Sequence, residues 1–137
     1  MAKNTQLKGI KPNNTPYRVL VIDDSDLIIK LLSMMLTSEG FEIAGTASNG
    51  AQAIVKYKAN HENIDLVTLD ITMPLVDGVE TLKKILEFDP EAKIIMVSAI
   101  GLEEMVRKCL VMGAKSFIIK PLERKVVLDR ITSVLAQ

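Results

Sequence analysis

Only one cysteine, one histidine and no tryptophan occur in this chain, and each scarcity closes off a class of chemistry. With Cys109 alone there is no intrachain disulfide and no thiolate pair for a metal, and a single thiol suits a reducing compartment. His61 has no partner at ligand spacing, which disfavours zinc; in the polar stretch His61-Glu62-Asn63 it reads as an exposed surface residue. No apolar run approaches the length needed to cross a bilayer. Lys plus Arg and Asp plus Glu number 17 each, so no global field draws nucleic acid or anionic lipid. Residues 1–16 hold lysines and the run Asn13-Asn14-Thr15-Pro16 but no apolar segment, so they read as a flexible extension and not as a secretory signal. The expectation is a soluble cytoplasmic monomer.

What the chain does have is apolar bulk, 48% of its 137 residues, enough to fold as one domain without staples. Short runs rich in β-branched residues, Arg18 to Ile22, Leu66 to Leu69, Ile94 to Val97 and Phe117 to Ile119, read as buried parallel strands; Phe41 to Ala47 alternates as a further one. Helical spacing fills the gaps. Leu27, Ile28, Leu31, Leu32, Met35 and Leu36 follow a cap at Ser25 and end near Gly40. A second helix runs from Ala51 and fades before Asn63, and a third carries Val79, Leu82, Ile85 and Leu86 after the turn of Pro74 and Asp77-Gly78. Leu102 to Met112 and Val126 to Leu135 complete the set. Five βα units predict an α/β fold with a doubly wound, five-stranded parallel sheet in a single domain, residues 17–137.

The chemistry sits at strand ends, where such sheets collect ligands. Asp23 and Asp24 end the first strand, Asp70 the third, Ser98 the fourth, and Lys120 the fifth. Carboxylates held together repel, and burial worsens the repulsion; a hard divalent cation relieves both, and Mg²⁺ suits carboxylates plus water and phosphate oxygens. Lysine at this edge is a point charge for a phosphoryl group, and the Lys120-Pro121 bond, able to turn cis more readily than others, would aim it inward. Simpler roles remain open at single positions. Asp23, Asp24 or Ser98 could cap the following helix, and Lys120 could be solvated. Asp70 precedes a turn, so capping does not account for it.

The motifs Val21-Ile22-Asp23-Asp24-Ser25, Asp70-Ile71-Thr72-Met73-Pro74 with Asp77-Gly78, Ser98-Ala99, and Gly113-Ala114-Lys115 leading to Lys120-Pro121 stand in order at strand ends. With them the chain resembles the receiver domain of two-component response regulators, and particularly their stand-alone chemotaxis branch, over about Tyr17 to Ala136. That resemblance implies a flavodoxin-like, CheY-like fold and assigns roles. Asp70 would be the phosphoacceptor. Mg²⁺ would be held by Asp24, Asp70 and the main-chain carbonyl of Thr72, with Asp23 helping through water. Lys120 and Ser98 would contact the phosphoryl group, and Phe117, without the hydroxyl that tyrosine often supplies there, would turn inward with Ser98. The implied partners are a CheA-like sensor histidine kinase, the flagellar motor switch protein, and a phosphatase.

The helix from Leu102 to Met112 shows two apolar rows, Met105-Cys109-Met112 and Val106-Leu110. The second row, with Phe117 and Ile119, reads either as a docking patch or as part of a wide buried face. Other functions fit less well. A dehalogenase-type phosphohydrolase would need an aspartate where Thr72 stands, and a nucleotide binder would need a phosphate loop where Asp23 and Asp24 repel one. A direct DNA binder would need a basic helix, which the sequence lacks. The expected protein is a phosphorylated switch, self-modifying but not a turnover enzyme. The alternative within that class is a receiver that passes its phosphate on or controls a target other than motility.

Overall fold

The computed structural model describes residues 7–73 and 76–137. Five strands, β1 (Arg18–Ile22), β2 (Glu42–Ala47), β3 (Leu66–Asp70), β4 (Ile94–Ser98) and β5 (Ser116–Ile119), alternate with five helices. These are α1 (Asp26–Thr37), α2 (Gly50–Asn60), α3 (Gly78–Phe88), α4 (Glu103–Met112) and α5 (Arg124–Leu135). All strand pairs are parallel, in the order β2-β1-β3-β4-β5. The doubly wound sheet read from the sequence is therefore the fold, and its order reverses between β1 and β3, where such sheets open a crevice.

Alternation along each strand divides the core between two layers. Val19, Val21, Leu66, Ile95 and Ile118 face α1 and α5 through Leu32, Leu36, Val127, Leu128, Ile131 and Val134. Leu20, Ile22, Val67, Leu69, Ile94 and Met96 face the other way, against Ala53, Tyr57, Leu82, Ile85, Val106 and Cys109 of α2, α3 and α4. Because both faces are covered, β3 and β4 are buried at every position. That explains why their sequences read as unbroken apolar runs.

Helix starts follow capping chemistry where a side chain supplies it. Ser25, Asn49 and Asp77 accept from the backbone N–H of Ile28, Gln52 and Glu80, respectively. Pro74, expected in the turn before α3, lies outside the described residues. α5 begins at Arg124, ahead of the predicted Val126, because Arg124 and Lys125 carry no apolar signal. Residues 7–16, read as an extension, lie against the domain instead of leaving it. Gly9 N–H donates to Glu39 O at 2.8 Å, Tyr17 N–H donates to Gly9 O at 2.8 Å, and Ile10 bridges Pro16. A Cβ on Gly9 would stand 2.3 Å from Phe41 N, so only glycine permits this approach. His61 is half-buried, its ring edge-on to Phe88 at 4.9 Å between centroids, and so is less exposed than its polar neighbours suggested.

Candidate functional site: an acidic pocket at the carboxyl edge

Strand ends gather the expected groups in one place. β1 delivers Asp23, buried to 1% exposure, whose N–H donates to Ala47 O at the end of β2. Its Oδ1 accepts from Ser25 N–H at 2.9 Å, which ties the carboxylate to the start of α1. Asp24 follows it and is exposed. Asp70 is the last residue of β3, paired with Val97 in the sheet and 3% exposed. One oxygen from each of Asp23, Asp24 and Asp70 lies within 4.8 Å of the other two.

Lys120 is the cation this cluster faces. Its N–H donates to Ser98 O at 2.7 Å beyond the β4–β5 ladder, and the following bond to Pro121 is cis. The ammonium sits 3.3 Å from Asp23 Oδ2 and 3.6 Å from Asp70 Oδ1. Lys120 is thus an ion-pair partner, not a solvated strand end. Asp23 Oδ2, although close to that charge, has no hydrogen-bond partner of acceptable geometry. One ammonium does not neutralise three carboxylates. Burial pushes the Asp70 carboxyl up to about 7, Asp23 adds repulsion, and Lys120 and the Thr72 N–H at 3.4 Å only partly offset the rise. A buried acceptor without a donor, in a cluster of hard oxygen ligands, is what a divalent cation satisfies.

The remaining groups take the positions their sequence offsets predicted. Ser98 is fully buried at the end of β4 and donates from Oγ to Ala99 O at 2.8 Å. α4 starts beyond Leu102 with no side-chain cap, so capping does not account for this hydroxyl. Thr72 is exposed at the pocket mouth just after Asp70. Gly78, read in the sequence as half of a turn and as part of a family motif, also shapes the site. Its N–H donates to Ile71 O at 2.8 Å, and a Cβ there would stand 2.2 Å from Asp70 O. The loop after Asp70 closes tightly because that position has no side chain.

Away from the pocket, a groove of about 220 Å³ runs between α4 and β5, lined by Glu103, Val106, Arg107, Leu110, Phe117 and Ile119. The two rows of α4 regroup in three dimensions. Val106 and Cys109 are buried on one inner face, while Met105 and Leu110 sit at its margins, 36% and 37% exposed. Val106 is therefore the floor of the groove and Leu110 its accessible wall. Phe117, paired with Met96 in the sheet, is half-buried between this groove and α5.

Comparison with known proteins adds four findings. Residues 19–132 match the model of the response regulator receiver domain, so the segment from Leu7 to Tyr17 lies outside the matched span. The chemotaxis protein CheY of Treponema pallidum is 57% identical over 127 residues, 93% of this chain and 88% of that protein. CheY of Bacillus subtilis is 44% identical over 87% of this chain and 98% of its own length. Among solved structures, a chain of the CheX-CheY-BeF3-Mg+2 complex from Borrelia burgdorferi superposes with a TM-score of 0.94 at 48% identity, covering 97% of this chain and all of that one.

Proposed function

The chain belongs to the response regulator receiver domain family, and on that premise we propose that it is a single-domain chemotaxis response regulator whose Asp70 accepts a phosphoryl group. The observation that carries this reading is the buried Asp70 carboxylate, 3.6 Å from the Lys120 ammonium and crowded by Asp23 and Asp24. The protein is a signalling receiver and not an enzyme that turns over a metabolite.

Asp24, Asp70 and the main-chain carbonyl of Thr72 would hold Mg²⁺, with Asp23 helping through water, and the ion would supply positive charge that lets a carboxylate approach a phosphoryl group. An Asp70 oxygen attacks phosphorus in line and a P–O bond forms. The bond from phosphorus to the donor breaks, and its electron pair leaves with the imidazole nitrogen of a phosphohistidine, which then takes up a proton. Lys120 balances charge on the transferred oxygens, and its carboxylate partners hold it at the place where that charge arrives. Ser98 gives up its bond to Ala99 O and donates to a phosphoryl oxygen. Water later attacks the acyl phosphate, releasing inorganic phosphate and restoring Asp70.

The donor in this scheme is a CheA-like sensor histidine kinase. The Borrelia complex contains CheX together with CheY, BeF3 and Mg+2, and by analogy a phosphatase of that kind resets this chain. The output is binding to the flagellar motor switch through the groove of Val106, Leu110, Phe117 and Ile119, with Phe117 turning inward as Ser98 moves. No helix among the described residues is long and apolar enough to cross a membrane.

Incubation with radiolabelled acetyl phosphate and Mg²⁺ tests the assignment. The parent chain should acquire a base-labile acyl phosphate and Asp70→Asn should not. Equal labelling of both would overturn it.

A further inference from the structure

Phe117 lines the apolar groove under α4. Beside α5 a polar recess of about 330 Å³ includes Lys115, Ser116, Asp129, Arg130 and Ser133 in its lining. The Arg130 guanidinium carbon lies 5.1 Å from the Phe117 ring centroid. Arg130 is exposed, and among the described residues no carboxylate pairs with it; its neighbour Asp129 is already engaged by Lys125 at 2.9 Å. The ring is the contact to which this cation is committed.

That contact answers a question raised by the residue type. A half-buried phenyl ring has no hydroxyl to bind water, so burial alone favours a position further inward. A cation over the ring face supplies the opposing attraction. We propose that Arg130 is the positioning residue that holds Phe117 at the surface before phosphorylation, and so sets the balance between its outward and inward states. This rests on the reading of Phe117 as the switch, and it deepens that reading by naming what the phosphoryl group must overcome.

The test uses the full chain carrying 4-fluorophenylalanine, with the signal of residue 117 identified by its loss in Phe117→Leu, observed by ¹⁹F NMR with and without BeF3⁻ and Mg²⁺. In the parent, the signal should move when BeF3⁻ and Mg²⁺ bind. In Arg130→Met, which keeps the apolar stem and removes the charge, the unliganded signal should already lie nearer that position. An exposed cation–π contact corresponds to a ratio of inward to outward ring changed by about two- to fivefold. Arg130→Lys, still cationic, should fall between the two. An unliganded Arg130→Met signal coincident with the parent's would overturn the proposal. A parent signal that ignores BeF3⁻, while a thermal shift shows that BeF3⁻ and Mg²⁺ have bound, would instead sink the switch reading beneath it.

Discussion

At the amino end of the sheet Lys11 pairs with Asp65 at 3.2 Å, Arg18 pairs with Glu42, and the Tyr57 hydroxyl donates to Asp89 at 2.6 Å. At the carboxyl end three carboxylates crowd a single ammonium, and Asp23 Oδ2 is buried without a hydrogen bond. One sequence has built both ends on the same strands, so the difference reflects use and not foldability. The amino end sets these charges in pairs near the surface, where each contributes little. The carboxyl end keeps an uncompensated negative charge in a partly dry pocket, a local cost that a bound cation and a phosphoryl group can turn into affinity.

Removing the one cation at the costly end should have the largest effect. Lys120→Met leaves Asp23 and Asp70 facing each other without their partner, and breaking a buried pair from one side leaves the other charge exposed to the full desolvation penalty. With Lys120 24% exposed, the expected loss in metal-free urea unfolding is about 2–3 kcal/mol. Saturating Mg²⁺ should narrow the gap between variant and parent. An equal loss with and without Mg²⁺ would mean that Lys120 acts by packing and not by charge.

The same crowding gives metal binding a pH dependence that the amino end lacks. The Asp70 carboxyl is raised from an ordinary 3.8 to about 7 in the metal-free fold. Its protonated form therefore favours folding, an advantage complete below the unfolded value and lost as pH rises through about 7. Metal must displace that proton, so Mg²⁺ affinity measured by calorimetry should fall about tenfold per pH unit below about 7 and level off above it, with proton release confined to the lower range. Affinity independent of pH between 5.5 and 7 would remove Asp70 from the ligand set.

The two ends also differed in how far the sequence revealed them. Strand ends were readable because a strand covered on both faces must be apolar throughout, so Asp23, Asp70, Ser98 and Lys120 each break a visible run. The placement of residues 7–16 left no such trace. It depends on backbone bonds from Gly9 to Glu39 and Tyr17 and on Gly9 lying against Phe41, and neither has a period. The burial of Val106 and the place of Arg130 over the Phe117 ring were hidden for a related reason. A helical row shows which residues share a face, but not whether the neighbouring strand leaves that face as floor or wall.

Glu39 is the amino-end counterpart of Lys120, one residue on which several contacts converge, and its removal should have the smallest effect. Its Oε1 accepts from Lys8 N–H at 3.3 Å and its Oε2 from Arg124 at 2.8 Å, which fastens the N-terminal segment to the start of α5. Its side chain is 20% exposed, and Arg124 and Lys8 keep water as an alternative partner. Glu39→Ala should therefore cost only about 1 kcal/mol in urea unfolding. The Mg²⁺ response and acyl-phosphate labelling should be unchanged, because no contact of Glu39 reaches the pocket. If Glu39→Ala cost as much as Lys120→Met, charge at the amino end would be holding the fold together as well, and the contrast between the two ends would fail. A loss near zero would leave Gly9 and its backbone bonds as the whole attachment of the segment, and would sharpen the contrast further.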